Sequence, residues 1–399
     1  MPGVAAGPPT ENAFWGPDWP AVRALWPLDP TVAHLNHGSF GAVPLRVVQA
    51  QDHWRRRALA NPMRYWLLDE PTGVTAARHR AAAFLGSDED GLALVPNATT
   101  AVNTALAAVA LAAGDEIVVT DHGYGAVRLA ADRVAMRTGA RVVEVALPVE
   151  GDADQICAAV EHAVTDATRL VVIDHVTSPT ARIFPVARVV DAAHRRSVPV
   201  LVDAAHAPGQ LPVDLTALGA DFWTGNFHKW PCAARGTGVL AVARPWRDLV
   251  RPFVTSWNDA AGFPAAFDLT GTQDQSAWLA LGDALDLMAE LSWDRLRAHG
   301  SALADHGQRI VAEALGVPAD RLWREPGLWM RCVPLPAGVA STEAGSRALW
   351  RVISDRLGCE VGVTTWRGRG LLRLSAHAYN APADYVRLAL GVRDILRSS

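Results

Sequence analysis

"VDAAHAPGQLPVDLTALGADFWTGNFHKW", residues 202–230, holds two apolar runs that each give way abruptly to polar residues. The first run starts upstream, in "VPVLVDAA" (197–205), and the second is "DFWTG" (221–225). Both are rich in β-branched or aromatic side chains and read as buried strands. The stretch closes on Lys229, the one lysine in a chain whose other cationic side chains, of 37 in all, are arginine. Arginine serves for solubility, salt bridges and phosphate contacts, and its guanidinium keeps its proton near neutral pH. What arginine cannot do is offer a neutral primary amine that attacks a carbonyl and then carries protons in a desolvated site. A solitary lysine is therefore a candidate nucleophile, against the plain alternative of a strongly Arg-biased composition.

Outward from this stretch, helical segments alternate with further β-branched runs: "EIVVT" (116–120), "RVVEV" (141–145), "RLVVIDHV" (169–176) and "GTGVLAV" (236–242). Helices are predicted over 125–137, 152–164 and 186–195. The pattern is that of an α/β protein with a mainly parallel sheet wrapped by helices. Ligands in such sheets collect at the carboxyl ends of strands, and polar residues follow several of the runs: 121–124, 175–180, 203–206 and 226–229. After about residue 268 a long helix (274–300), another (302–315) and short strands near 327–333 and 371–375 suggest a small α+β domain. The expected division is an N-terminal arm (1–27), a large domain (28–268) and a small one (269–399).

Composition narrows the function. With 399 residues and 50% hydrophobic side chains the chain can bury a sizeable core. A net charge of −4 gives no basic field for nucleic acid or an anionic membrane surface. Cys157, Cys232, Cys332 and Cys359 lie far apart with no CxxC pair, so no metal site or disulfide framework is expected. The first twenty residues are Pro/Gly-rich and lack a signal peptide's basic and apolar regions, and no run is long enough to span a membrane, which points to the cytoplasm. No G-x-G-x-x-G follows an early strand, which argues against a dinucleotide domain.

Asp203 ends an apolar strand, where a carboxylate needs a cation or a firm donor. A protonated pyridine nitrogen would serve and would make that ring an electron sink; a turn-forming aspartate is the alternative. His206 follows three residues later, and Lys229 after the next strand. "NATT" (97–100) offers hydroxyls and backbone N–H groups at a helix start, a seat for phosphate or a plain N-cap. Tyr124, in a loop after a strand, could stack on a planar ring or simply pack. Arg373, among apolar neighbours in "LLRLSAHAYN", suits a bidentate grip on a carboxylate or a structural salt bridge.

These residues, with "LNHGSFGAVP" (35–44), "NATTAVN" (97–103), "TDHGYGA" (120–126), "HVTSPT" (175–180) and "LTGTQD" (269–274), resemble the class V aminotransferase-like pyridoxal-phosphate enzymes. The similarity is greatest to the isopenicillin N epimerase-like branch, related to cysteine desulfurases, and runs in order over about residues 28–385. It implies fold type I, with a seven-stranded, mainly parallel sheet in the large domain. It also implies pyridoxal 5'-phosphate linked to Lys229, Asp203 paired with the pyridine nitrogen, and His206 near the ring hydroxyl. Thr99, Thr100, Asn226 and His228 would surround the phosphate, Ser178 would contact the cofactor, and Tyr124 would stack on the ring. Arg373 matches the arginine that grips the substrate carboxylate, and Asn36, His37 and Ser39 fall in the segment that lines the substrate pocket. Thr272 would reach the phosphate of a neighbouring subunit, which implies a homodimer.

Cysteine desulfurases carry a nucleophilic cysteine on a loop shortly before that arginine. Here the region reads "GVTTWRGRGLLRLS", without cysteine, and Cys359 lies upstream in an apolar, strand-like setting that suggests a structural thiol. The resemblance thus implies an enzyme that removes a Cα proton from an amino-acid unit. The favoured outcome is elimination of a thiol from a cysteine S-conjugate in secondary metabolism, including antibiotic pathways. The alternatives are epimerisation, oxidative or decarboxylating deamination, transamination, and a non-catalytic cofactor-binding protein.

Overall fold

The computed structural model describes residues 16–397; the first fifteen residues of the expected N-terminal arm lie outside the described residues. The chain divides into two compact units. The larger (46–178 and 182–287) is built on a seven-stranded sheet. Its strands are β1 (Leu92–Val95), β2 (Glu116–Thr120), β3 (Arg141–Val145), β4 (Thr168–Asp174), β5 (Val200–Asp203), β6 (Phe222–Asn226) and β7 (Gly238–Val242). They lie in the order β1-β7-β6-β5-β4-β2-β3. All pairs are parallel except those of β7, which runs against both β1 and β6. Every residue of β5 and β6 is buried, as expected for strands covered on both faces.

The helices follow from local chemistry. Asn97 caps α1 (Ala98–Ala108) by accepting the Thr100 N–H. Asp152 and Gln155 form a reciprocal capping box at the start of α3 (Ala153–Ala163). Between them in sequence, α2 (Gly125–Thr138) stops at Gly139 in the left-handed region. Ala101, Leu106 and Val127 from the helices meet Ile117, Leu170, Leu201, Phe222 and Leu240 from the sheet in one continuous core. Each of the valine, leucine, isoleucine and phenylalanine side chains contributes roughly 1.5–3 kcal/mol by leaving water. Helix α1 stops at Ala108, where Val109 turns to extended backbone.

Among the described residues, the smaller unit comprises 16–45, 179–181 and 288–397. Its antiparallel sheet contains β8 (Met330–Pro334), β9 (Gly362–Trp366) and β10 (Arg369–Ser375) in the order β9-β10-β8. Helices α4 (Trp293–Leu315), α5 (Glu343–Leu357) and α6 (Pro382–Arg397) belong to the same unit. The packing divides the chain differently from the expected boundaries at 27/28 and 268/269. Ala33 and His34 pair in parallel with Cys359 and Glu360, which carries the N-terminal segment into the small unit. Residues 269–287 stay with the large one, through bonds such as Trp278 Nε1 to the Gly236 carbonyl at 2.7 Å. The helical break predicted near 301 falls instead at Ser292, whose φ of 67° interrupts the chain and whose side chain caps α4. At 300 and 307 the helix continues through glycines, and at Gly307 any Cβ would lie 2.3 Å from the Tyr385 ring.

Candidate active site

Strands β1, β2, β4, β5 and β6 point the same way, so their carboxyl ends form one edge of the large sheet. β6 delivers Asn226 and the tight turn that follows it, where the Lys229 carbonyl accepts the Cys232 N–H at 2.9 Å. Lys229 Nζ lies 3.0 Å from His206 Nε2 and is half-buried. If the ammonium donates, His206 is neutral there and its proton sits on Nδ1. His228 Nδ1 donates to the Thr237 carbonyl at 3.2 Å, and burial pulls its pKa down to about 4, so it is neutral as well.

Asn226 joins two elements. Its Oδ1 accepts the Ala98 N–H at 2.9 Å, while Asn97 Oδ1 accepts the N–H of Thr100 at 2.8 Å. Side chains thus occupy the first and third N–H groups of α1, and Thr99, between them, is exposed at the helix's positive end. Gly238 makes this arrangement possible. It is in register with both Val95 and Asn226, and a Cβ there would stand 2.7 Å from Asn97 Cα. Only glycine lets the two chains approach so closely.

Asp203 is buried and accepts the Ala205 N–H at 3.0 Å. Burial raises its pKa, while that hydrogen bond and the charge of Lys229 pull it back. Beside it on β4 stands Asp174, equally buried and in register. The sequence reading passed over Asp174, although "VVID" ends in the same apolar-to-acid pattern as "VLVD". Ser178 lies half-buried in the turn after β4, the Tyr124 side chain is 48% exposed at the head of α2, and Thr272 sits in an exposed loop.

In the small unit Arg373 is buried on β10, and its Nη2 donates to Asn36 Oδ1 at 3.1 Å and to Ser39 Oγ at 2.9 Å. Ser39 Oγ donates in turn to Asn36 Oδ1 at 2.9 Å. In these two bonds neutral acceptors orient the guanidinium. His37 is buried next to them, its Nδ1 accepting from the Tyr379 hydroxyl at 2.8 Å and from the Ala42 N–H at 3.4 Å. Arg373, Asn36, His37 and Ser39 therefore come together in the small unit. β9 and β10 are joined by Arg367 and Gly368 alone, both at positive φ, a tight two-residue hairpin turn. Cys359 is buried in a strand, and burial raises its thiol pKa to about 11, which makes it a poor nucleophile.

The fold matches that of C-DES, solved with glycine covalently linked to its pyridoxal-phosphate cofactor, with a TM-score of 0.79 at 19% identity over 93% of this chain and 99% of that one. It is the fold of the type I pyridoxal-phosphate enzymes. Residues 41–320 match the model of the aminotransferase class-V family. The chain is 34% identical to an isopenicillin N epimerase of Streptomyces clavuligerus over 93% of its own length and 97% of that protein's. It is 28% identical to a probable chloroplastic L-cysteine desulfhydrase of Arabidopsis thaliana, over 92% and 84%. The chain belongs to the class V aminotransferase family, and pyridoxal phosphate is its cofactor.

The residues fit that group. A helix start with an exposed threonine, a solitary lysine and a buried carboxylate with one backbone donor supply an anion seat, an amine and a partner for a cationic nitrogen. Among the described residues no helix is long and apolar enough to cross a membrane.

Proposed function

We propose that this chain eliminates a thiol from the amino-acid part of a cysteine S-conjugate in secondary metabolism. The observation that carries this reading is the pairing of one lysine with a hairpin that lacks a cysteine. Elimination needs a base that takes the Cα proton and can deliver it to the departing sulfur, a task one amine can perform. Epimerisation needs a second acid on the opposite face, and the chain has no second lysine to provide it.

When bound, pyridoxal phosphate supplies an electron-withdrawing ring that stabilises negative charge at a substrate's Cα. Lys229 would hold it covalently and then move the Cα proton. His206, its Nε2 3.0 Å from the Lys229 amine, would fix where that amine rests. Asp203 would hold the ring nitrogen's positive charge, Tyr124 would cover the ring, Ser178 would contact the cofactor, and Thr99, Thr100, Asn226 and His228 would seat the phosphate. Arg373, oriented by Asn36 and Ser39 and flanked by His37, would grip the substrate carboxylate.

Epimerisation is the rival reading, supported by the name of the relative at 34% identity. Incubation with a panel of cysteine S-conjugates, with products followed by mass spectrometry, decides between them. Thiol and pyruvate in equal amounts are expected. Racemised substrate with its sulfur retained would establish the epimerase instead, and a sulfur-bearing keto acid would indicate transamination or oxidative deamination.

A homodimer, with Thr272 reaching the neighbouring site, is part of the same proposal. Leu59, Met63, Leu67 and Leu68 expose 55–82% of their area within ten residues, an apolar run that a second copy would cover. Sedimentation at twice the chain mass is the expected result; a monomer that retains full activity would defeat this part. A reducing, cytoplasmic setting suits four cysteines that are all buried thiols.

A further inference from the structure

The carboxyl end of β4 carries an acid with no role in the proposal above. Asp174 closes β4 as Asp203 closes β5, and the two are register partners on adjacent parallel strands. Their side chains therefore leave the sheet on the same face, side by side. Both are buried, at 5% and 4% exposure. Asp174 also accepts the main-chain N–H of Tyr124. The chain passes so close there that a Cβ on Gly123 would stand 3.6 Å from Asp174 Oδ2.

We propose that Asp174 is a positioning residue for the cofactor ring: its carboxyl tethers the Tyr124 loop to the sheet and stands directly beside Asp203 to back it. This inference rests on the reading of Asp203 and Tyr124 given above.

Two neighbouring carboxylates in a dry site do not both ionise cheaply. The titratable groups around them are few. Lys229 and His206 stand on the Asp203 side, and His175 follows Asp174 on its own strand. In the loop after β2, Asp121 accepts the Leu147 N–H at 2.9 Å and His122 Nε2 donates to the Leu147 carbonyl at 3.1 Å, so both are turned to that backbone. Asp203 has the better claim to the charge, through the Ala205 N–H and Lys229. For Asp174, burial first and then the charge of Asp203 hold the proton on well above the usual carboxylate range. A protonated carboxyl keeps a carbonyl oxygen for the Tyr124 N–H, so the tether needs no charge.

Two variants of the cofactor-loaded protein test this. Asp174→Asn keeps an acceptor but cannot ionise, and Asp174→Leu removes the acceptor. Asp174→Asn should leave the cofactor dissociation constant within about threefold of wild type and the pH midpoint of the visible absorbance unchanged. Asp174→Leu should weaken cofactor binding about tenfold, the loss of one buried hydrogen bond, and reduce the circular dichroism of the bound ring. In cofactor-free protein the sign of the pH effect is also fixed. Unfolded Asp174 ionises near its ordinary value of 3.8, whereas the folded group keeps its proton, so wild-type stability falls as pH rises through that window. Asp174→Asn should therefore melt higher than wild type, by a margin that grows above pH ~4.

An Asp174→Asn protein that loses cofactor affinity, or whose absorbance midpoint moves by about one pH unit or more, would overturn the neutral assignment. An Asp174→Leu protein that binds and orients the cofactor like wild type would overturn the tether, and if that variant does not fold, the asparagine results decide the proposal. A Lys229→Ala protein that still held cofactor covalently would instead overturn the site reading, and would leave the cofactor-free melting comparison standing.

Discussion

Replacing Lys229 with alanine is expected to lower turnover by ~10³-fold or more, because one side chain is asked to hold the cofactor and to move the Cα proton. Lys229→Arg is the sharper variant. It keeps a positive charge beside His206 but cannot present a neutral amine near neutral pH. If the lysine served only as a cation, arginine would rescue much of the activity. Under the present reading both variants lose turnover alike, and both lose the visible absorbance of covalently bound cofactor. Borohydride reduction and peptide mapping check the assignment directly: a reduced adduct on Lys229 is expected in wild type and in neither variant. No second lysine exists to substitute for it.

Asp203→Asn should separate function from stability. The carboxylate would hold a positive charge on the cofactor's ring, and a neutral amide should cost roughly 10²–10³-fold in turnover. Without cofactor the same change should raise the melting temperature at neutral pH. Burial lifts the Asp203 pKa in the fold, despite the Ala205 N–H and Lys229. A raised carboxylate favours folding below its ordinary pKa of 3.8 and loses that advantage as pH climbs toward the folded value. The amide has no such loss. Paired assays of rate and melting temperature across pH therefore check the assignment: an Asn variant that is both less active and less stable at every pH would mean that Asp203 is a structural anchor.

Much of the large unit could be read from the sequence because its strands are short, uniformly apolar and ended by polar residues. "EIVVT" and "RVVEV" are strands from first residue to last, and "VLVD" and "FWTGN" differ from their predicted runs only at the ends. The small unit was harder. "GVTTW" mixes glycine and threonine in five residues, and its strand character comes from pairing with β10, a contact that periodicity does not reveal. The N-terminal segment joined that unit through a two-residue pairing with Cys359 and Glu360, more than 300 residues away. Of the site, Lys229 and Asp203 stood out by composition and position. Asp174 carried the same signal as Asp203, yet its meaning depends on the register of β4 against β5. Gly238 carried none, since its role is the space it leaves for Asn97.

The two-residue turn at Arg367 and Gly368 also bears on where sulfur goes. So short a link has no arm that could swing outward with a sulfur atom and hand it to another protein. Under the elimination proposed above, sulfur would leave as part of a small, diffusing thiol, available to whatever chemistry meets it next in solution.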